Sequence, residues 1–495
     1  MNAPRNRRDN DVVNLLLAVI SGLLLAAVHP HWNFVWLAPF ALTPLLIALA
    51  REYRPKYRFL LGYTAGAVFW GFMCYWIQFV MAVHGGLGNA GGFGVFLLFC
   101  MTPSINIAVF GMLAGVVVHK WYAGPAIAAL WVAAERIPTP FGFMWLKLGD
   151  AGIDMSIPMR LAPVAGVYGL SFLFALLSAT LAMVALRRKR HELLWVLVIP
   201  LLYFLPALPE AERPRESAVA LQPNIDEEKE WHEQDVDDVQ RRLEFLSLQN
   251  ALAAGEPPPQ VILWPEVPAP LYYDSDVQFR ERMNSLARVT RSAVLFGTVA
   301  RTAKGEPLNS AQMINSVGEV AGRYDKILLV PFGEYVPTPF GFASKISTEI
   351  GNFQPGEKLT VFSVKGHSLG AFICYESAFP HLVRRFRTDV LVNLSNDGYF
   401  GHSAAREQHL RLVRMRAAEN ARWIVRVTNN GITAVADPAG RVTQRFAEFS
   451  EAVHRVSYSY RKDLTVFSRF GDWFVWLCIC ISAVALFASQ MPNRV

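Results

Sequence analysis

The chain has 495 residues, of which 53% are hydrophobic and only 18% are charged, and its mean hydropathy is +0.26. A soluble domain usually has about a quarter of its residues charged, so the composition excludes an entirely soluble protein and predicts that much of the chain lies in lipid. The formal net charge of +7 does not indicate a nucleic-acid partner, because the cations concentrate in short loops between apolar segments, where membrane topology accounts for them.

Eight apolar segments have roughly the length of a membrane span, which is about 20 residues. We therefore predict a polytopic α-helical membrane domain with about eight spans. Residues 1–208 contain seven of them, and residues 471–495 contain the eighth and a short tail. The predicted spans are 12–28, 34–50, 59–83, 91–118, 121–134, 163–186, 193–208 and 473–488.

The basic residues occupy alternate loops of this arrangement. The basic loops precede the first span and follow spans two, four and six, and they contain Arg8, Arg54, Lys120 and Arg190. Short loops rich in Lys and Arg stay in the cytoplasm. The pattern therefore predicts that both termini are cytoplasmic and that the segment after span seven, residues 209–470, lies on the opposite side.

Residues 209–470 have a different sequence pattern, in which short β-rich runs alternate with polar, helix-compatible segments. Continuous apolar runs are typical of strands that are covered on both faces, and this alternation predicts one α/β layered domain. The predicted strands are 218–221, 261–264, 293–299, 369–373, 390–394, 423–427 and 433–436. The predicted helices are 236–254, 276–290, 381–386 and 404–419.

Only one of the five cysteines lies in this domain. Cys74, Cys100, Cys478 and Cys480 lie in apolar segments, whereas Cys374 ends an apolar β-like run. A single cysteine excludes a disulfide within the domain. The segment after Cys374 is helix-compatible, so the thiol is predicted at a strand-to-helix turn, where nearby N–H groups lower the pKa of a thiol.

Two charged residues also lie at predicted strand ends, Glu266 after Trp-Pro and Lys326 before Ile-Leu-Leu-Val. Strand ends of a layered sheet meet in one crevice, where Lys326 would stabilise an oxyanion and Glu266 would shuttle protons. Each residue also has a plainer interpretation. Cys374 would be a small core residue, Glu266 a surface turn and Lys326 a solvated strand start. Their spacing alone does not decide between these interpretations.

Several sequence blocks resemble the signature blocks of the nitrilase superfamily. They are Trp-Pro-Glu at 264–266, Lys-Ile-Leu-Leu-Val-Pro-Phe-Gly-Glu-Tyr at 326–335, Ile-Cys-Tyr-Glu at 373–376 and Ser-Asn-Asp-Gly-Tyr-Phe-Gly at 395–401. Further blocks at 408–409, 415–419 and 428–433, and the position of the domain between spans seven and eight, extend the likeness. The whole chain resembles the apolipoprotein N-acyltransferase family, integral membrane enzymes that complete bacterial lipoprotein maturation.

The resemblance implies a nitrilase-like α-β-β-α sandwich at 209–470, carrying a catalytic triad of Glu266, Lys326 and Cys374. It further implies that Glu334 and Glu376 support the site.

Two aromatic residues also match positions that matter in the family. Tyr375 follows the nucleophile, and Trp231 corresponds to a tryptophan on a mobile loop over the site. Trp231 is preceded by a charge-dense run at 226–230, which favours a lid. The alternative is an exposed aromatic side chain that anchors the domain on lipid headgroups.

The implied reaction transfers a fatty acyl chain from a phospholipid, typically phosphatidylethanolamine, through a thioester on Cys374. The acceptor is the N-terminal amine of the diacylglyceryl-cysteine of an apolipoprotein. The family implies no cofactor and no metal, a monomer among membrane lipids, and a place in the bacterial inner membrane with the catalytic domain in the periplasm. The alternatives are a membrane-bound nitrilase-like amidase, an N-acyltransferase for another amine, and a transporter or inactive scaffold.

Overall fold

The computed structural model describes residues 3–139, 142–187, 190–226, 229, 231–337 and 352–491. The chain divides into two compact units. The first comprises residues 1–82, 88–208 and 469–495, and the second comprises residues 83–87 and 209–468. The second unit therefore corresponds to the predicted domain at 209–470, with one additional short segment from the N-terminal half of the chain.

The first unit is built from helices whose sequences are apolar and interrupted by proline and glycine. Proline at the first or second position of a helix is compatible with helical geometry, because the N–H that it lacks has no intrahelical partner there; this applies to the second, third and eighth helices. The helices are α1 (Ala3–Ala27), α2 (Thr43–Arg51), α3 (Pro55–Met73), α4 (Trp76–Ala82), α5 (Gly88–Met101), α6 (Ser104–Val117), α7 (Ala123–Arg136), α8 (Ala162–Ala185) and α9 (Val198–Leu201).

Among the described residues, four helical stretches are long and apolar enough to cross a membrane, and the pair α3 and α4, bent by 63°, is a fifth candidate. The predicted spans at 34–50 and 193–208 correspond to the shorter apolar helices Val35–Arg51 and Glu192–Phe204. The count of eight spans therefore stays a prediction. The four long stretches are Asn10–Ala27, Gly88–Val117, Pro158–Ala185 and Trp473–Gln490.

The second unit alternates strands with helices, and the chain then returns to the first unit. Its elements, in chain order, are β1 (Glu216–Gln222), α10 (Glu233–Ala251), β2 (Val261–Leu263), α11 (Val277–Thr290), β3 (Ala293–Arg301), β4 (Pro307–Ile314), β5 (Val320–Asp325), β6 (Val361–Val364), β7 (His367–Ile373), α12 (Pro380–Val383), β8 (Val390–Ser395), α13 (Ala405–Asn420), β9 (Ile424–Thr428), β10 (Ala434–Ala436), β11 (Val442–Arg445), β12 (Ala452–Tyr458) and α14 (Val466–Phe470), followed by α15 (Trp473–Gln490).

These strands form two six-stranded sheets that pack against each other, with the orders β12-β1-β2-β3-β4-β5 and β11-β10-β9-β8-β7-β6. The central strands are parallel, β1 with β2 and β3 in one sheet and β7 with β8 and β9 in the other. Helices α10 and α11 pack on the first sheet and α13 on the second, while β1 contacts β9 and β4 contacts β7. This is the α-β-β-α sandwich predicted from the sequence.

The core beneath α10 and α11 contains three large aromatic side chains, Trp264, Phe279 and Phe296, whose ring centroids lie 5.7–6.2 Å apart. Aromatic pairs at such separations stabilise a core beyond the area that they bury. Trp264 follows β2 directly and also donates a hydrogen bond from its indole nitrogen to Ser247 at 3.0 Å. Glu266, two residues further along the chain, therefore follows a tightly packed part of the core.

The segment 83–87 lies between α4 and α5 in sequence but packs with the second unit. The ring of His84 lies edge-on to Tyr399, with 5.0 Å between ring centroids. The segment 83–87 therefore contributes to the packing of the second unit, although it lies more than a hundred residues away from the rest of that unit in the sequence.

Candidate active site

Glu266 lies just beyond β2, at the edge of the sheet where the parallel strands end. The chain at Pro265–Val267 passes so close to Gly297 on β3 that a Cβ atom on this glycine would lie within 2.8 Å of the Glu266 Cα atom. Only glycine permits this approach. The Glu266 carboxylate is buried and accepts a hydrogen bond at 3.0 Å from the backbone N–H of Asn396, which follows β8 of the other sheet.

Lys326 follows β5 and is 1% exposed. Its Nζ atom lies 3.0 Å from Oε1 of Glu266 and 2.9 Å from Oε1 of Glu334. Burial opposes the charged form of this lysine, but the two carboxylates outweigh burial, and the pKa of Lys326 lies well above its ordinary value. The side chain therefore stays a cation at neutral pH. Lys326 and Glu266, which the sequence analysis expects in one crevice, lie side by side in the structure.

Asn309 on β4 is a site residue that the sequence does not reveal. Its Nδ2 atom donates to Glu266 at 2.8 Å and to Glu334 at 2.7 Å, so it joins the same two carboxylates that Lys326 joins. The backbone of Asn309 also accepts from the N–H of Lys326 at 2.8 Å. Asparagine is depleted in strands, so a buried asparagine within β4 indicates a functional residue. This indication is available only when β4 itself is recognised as a strand.

Cys374 begins the turn that follows β7 and has a φ angle of +50°. A non-glycine residue in this left-handed region is strained, and such strain is concentrated at functional sites. The turn after a buried strand agrees with the sequence prediction. It brings the thiol into the electrostatic reach of both Glu266 and Lys326.

Burial favours the protonated form of the Cys374 thiol. Burial raises the pKa of Cys374 well above its ordinary value, Glu266 and Asp397 act in the same direction, and Lys326 opposes them. The lowering effect of Lys326 expected from the sequence is therefore present but outweighed. A proton acceptor is needed before the sulfur becomes nucleophilic.

Glu376 is completely buried and ties the nucleophile turn to the lysine loop. Its carboxylate accepts from the N–H of Ile373 at 2.7 Å, and from Tyr324 Oη at 2.7 Å and Ile327 N–H at 2.8 Å on the other side. Burial raises the pKa of Glu376 to about 7, against the lowering effect of these donors. Glu376 thus holds the segments of Cys374 and Lys326 together rather than facing the thiol.

The two predicted aromatic residues lie in different surroundings. Tyr375 is buried and meets Phe379 edge-on, with ring centroids 5.0 Å apart. Trp231 is half-buried at the margin of the core beneath α10 and α11, and the Nζ atom of Lys229 lies 5.0 Å from the centre of its ring. Residues 227, 228 and 230 of the charged run before it are outside the described residues.

Among the described parts of the chain, no group of three or more His, Cys, Asp and Glu side chains is arranged to hold a metal ion. The arrangement offers a thiol, a carboxylate and a fixed cation. Such a set can carry out covalent acyl transfer, in which the carboxylate moves protons and the cation stabilises negative charge.

Both parts of the chain match known protein families. The apolipoprotein N-acyltransferase N-terminal domain family matches residues 21–180, and the carbon-nitrogen hydrolase family matches residues 218–459. An apolipoprotein N-acyltransferase from Geobacter metallireducens is 33% identical, covering 95% of this chain and 94% of its own. The chain belongs to the apolipoprotein N-acyltransferase family.

A second apolipoprotein N-acyltransferase, from Pseudomonas syringae pv. tomato, is 30% identical and covers 96% of this chain and 98% of its own. A solved structure of an amidase from Nesterenkonia sp. is 18% identical, with a TM-score of 0.37, and covers 51% of this chain and 93% of its own. Membership of the apolipoprotein N-acyltransferase family confirms the predicted family and the predicted N-acyltransferase activity. The roles assigned to the individual site residues stay predictions.

Proposed function

We propose that Cys374 carries the acyl group of a phospholipid as a thioester and passes it to the α-amine of a diacylglyceryl-cysteine at the N-terminus of an apolipoprotein. The observation that carries this proposal is the arrangement around Lys326. Its ammonium lies 3.0 Å from Glu266 and 2.9 Å from Glu334, and both Lys326 and Glu266 act on the pKa of Cys374. A base, a cation and a thiol thus share one buried site.

In the first step, the proton on Sγ of Cys374 passes to Glu266, and the sulfur attacks the ester carbonyl carbon of the phospholipid. Because the proton moves between two groups of the same buried site, the total charge of the site does not change. The negative charge then develops on the carbonyl oxygen, where the ammonium of Lys326 stabilises it. Collapse of this intermediate breaks the bond to the glyceryl oxygen, which takes the proton from Glu266 and leaves as a lysophospholipid.

In the second step, the neutral α-amine of the acceptor attacks the thioester carbonyl. Glu266 takes a proton from the nitrogen as the N–C bond forms, and the C–S bond then breaks and the proton returns to Sγ of Cys374. The products are the amide and the free thiol. Glu266 therefore acts as base and acid in turn, as general acid–base catalysis requires of a single residue that serves two half-reactions.

Lys326 supplies charge and does not act as a proton donor in this scheme. The two carboxylates that raise its pKa also oppose the loss of its proton. Glu334 supports this role, because it shares the ammonium with Glu266 and accepts from the N–H of Val330 at 2.8 Å. We expect a phosphatidylethanolamine donor and a periplasmic catalytic domain in the bacterial inner membrane. The alternating basic loops support this orientation.

The experiment uses the full-length protein in detergent with phosphatidylethanolamine as acyl donor, and measures the intact mass of the protein. We expect a mass increase of one acyl chain that maps to Cys374, is released by hydroxylamine, and disappears when a synthetic diacylglyceryl-cysteinyl peptide is added. Cys374→Ser is the control, because a hydroxyl without a base tuned to it is a far poorer nucleophile.

Two outcomes contradict the proposal. One is a Cys374→Ser variant that acylates the peptide at the rate of the unchanged protein. The other is release of free fatty acid at a rate that the peptide does not alter, which identifies water as the acceptor and the protein as a hydrolase.

A further inference from the structure

A second set of buried polar side chains lies behind Cys374, on the side of its backbone carbonyl. Nε2 of His409, on α13, lies 3.0 Å from the carbonyl oxygen of Cys374. His409 is completely buried. A carbonyl oxygen can only accept a hydrogen bond, so Nε2 carries a hydrogen and donates it to the backbone of Cys374.

The other nitrogen of this ring is held in place by a carboxylate. Nδ1 of His409 lies 2.9 Å from Oδ1 of Asp397, which also accepts from the hydroxyl of Ser395 at 2.9 Å. Gly431 leaves room for Asp397, since a Cβ atom at this position would lie about 2.5 Å from the carboxylate. The ring of His409 therefore has a hydrogen-bonding partner at each end, and these partners fix its orientation.

Arg426 anchors the carboxylate in turn. This arginine lies on β9 in the middle of the second sheet, is completely buried, and bonds to Asp397, to Asn393 and to the carbonyl of Ile432. Although burial alone would raise it, the pKa of Asp397 is held well below its ordinary value by Arg426 and His409. The contacts thus begin with the ion pair between Arg426 on β9 and Asp397, continue through His409, and end on the carbonyl of Cys374.

His409 and Asp397 do not activate the thiol. His409 contacts the backbone of Cys374, and the charge of Asp397 raises the pKa of the thiol rather than lowering it. A buried charge that works against thiolate formation needs another role. The backbone supplies one, because Cys374 has a φ angle of +50° and its strained conformation requires outside support.

We propose that His409 is a positioning residue, which holds the peptide unit between Cys374 and Tyr375 in the orientation that acyl transfer requires. A peptide unit is planar and trans, so a bond to the Cys374 carbonyl also sets the direction of the Tyr375 N–H beside the reacting sulfur. Asp397 fixes the ring of His409, and Arg426 fixes Asp397. The inference rests on the proposed role of Cys374 as the acyl carrier.

The test compares His409→Gln and His409→Leu in the full-length protein. A glutamine amide reaches the place of Nε2 and can donate to the Cys374 carbonyl, whereas leucine fills a similar space and cannot. His454→Leu is the matched control. This histidine lies in the same unit, its ring stacks on that of Phe446 with 3.7 Å between ring centroids, and it is not part of the contacts that lead to Cys374. Three quantities are measured, namely single-turnover formation of the acyl-enzyme, alkylation of Cys374 by iodoacetamide, and the thermal unfolding midpoint.

We expect His409→Leu to slow acyl-enzyme formation on the order of a hundred-fold, as a nucleophile misplaced by about 1 Å would. His409→Gln should recover most of this rate, and iodoacetamide should still alkylate Cys374 in both variants. Asp397→Asn, which keeps the size but removes the charge that orients the ring, should lie between them. The His454→Leu control should form the acyl-enzyme at the unchanged rate.

The inference is overturned if His409→Leu forms the acyl-enzyme as fast as the unchanged protein, or if glutamine is no better than leucine while both unfold at the unchanged temperature. If leucine prevents folding, the comparison of His409→Gln and Asp397→Asn with the unchanged protein decides, and equal rates in all three reject the positioning role. Failure of the unchanged protein to form a thioester is a separate result, which contradicts the proposed function instead.

Discussion

Oε1 of Glu334 lies 2.9 Å from the ammonium of Lys326, and the Lys326 side chain is 1% exposed and that of Glu334 13% exposed. Glu266 approaches the same ammonium at 3.0 Å, so two carboxylates share one cation and the cluster has an excess negative charge. Burial opposes the charge on Lys326, but the two carboxylates outweigh burial and keep this side chain charged. Glu334, Lys326 and Glu266 thus form one charged cluster.

Glu334→Gln should slow formation of the acyl-enzyme on the order of a hundred-fold, because the amide keeps one hydrogen-bond acceptor but removes the charge that the cluster shares. Single-turnover acylation by labelled phospholipid measures this rate. Glu407→Gln is the control, since Glu407 forms an exposed ion pair with Arg445. Equal rates for Glu334→Gln and its control would mean that the charge of Glu334 is dispensable.

Two substitutions of Asn309 test the same cluster: one removes hydrogen bonds, and the other adds a negative charge. Asn309→Ala removes two hydrogen bonds to carboxylates and should reduce turnover roughly ten-fold. Asn309→Asp should reduce it further, because a third carboxylate would face Glu266 and Glu334 and compete for Lys326. Steady-state acyl transfer to a lipopeptide measures both. Asn315→Asp, in the turn between β4 and β5, is the control. Higher activity in Asn309→Asp than in Asn309→Ala would contradict the shared-cation arrangement.

The stability of the second unit should depend on pH through Glu376. Its pKa is about 7 in the fold, against an ordinary value of 4.5, so the folded state binds this proton more tightly than the unfolded chain. The resulting stability is complete below about pH 4.5 and is lost as the pH rises through about 7, amounting to roughly 3 kcal/mol. Unfolding in detergent at pH 4.5 to 8 should show this loss, and Glu376→Gln should show much less of it. Parallel pH profiles for the two proteins would refute the assignment.

Trp231 should affect transfer more than stability if it belongs to a lid. Trp231→Ala should lower the rate of acyl transfer while changing the thermal unfolding midpoint little, because the side chain is only half-buried at the core margin. Trp264→Ala is the control for a core tryptophan and should cost roughly 3–5 kcal/mol of stability. A loss of stability in Trp231→Ala as large as that in Trp264→Ala would identify a structural residue.

Membrane orientation is testable without activity. In intact cells producing a protein freed of its native exposed cysteine, Asp238→Cys should react with an impermeant thiol reagent added from outside the inner membrane, because Asp238 is 75% exposed in the second unit. Lys120→Cys, in a basic loop, should react only after the membrane is made permeable. The reverse pattern of labelling would invert the predicted orientation.

The sequence predicts strands well where they are continuous apolar runs. Strands β1 to β3 and β7 to β10 are such runs, because both of their faces are covered in the sandwich. The sequence predicts all of them. Strands β4 and β5 mix polar and apolar residues, as in Pro307–Ile314, and carry no clear period. Their absence from the prediction concealed Asn309, which lies on β4. Lys326, which we expect at a strand end, follows β5, and its plainer interpretation as the start of a strand is wrong.

The predicted triad rests on resemblance and not on a local pattern. Glu266, Lys326 and Cys374 come from three segments whose meeting point depends on sheet order, and no local period encodes that order. The contacts of Glu376 are likewise not encoded locally, because its partners Tyr324 and Ile327 lie about fifty residues upstream. The count of eight spans stays a prediction. In the predicted span 34–50, the structure has a 3-10 helix, Val35–Phe40, that contains Pro39 and is followed by α2.

The position of His84 against Tyr399 has a practical consequence for anyone who wishes to study the catalytic domain alone. A fragment that begins at residue 209 and ends at residue 468 would lack the segment 83–87, which packs with that unit. The fragment would expose the ring of Tyr399, which is already 48% accessible, in the loop that carries Asn396 and Asp397. Removing the membrane helices thus also removes a small part of the surface beside the active site.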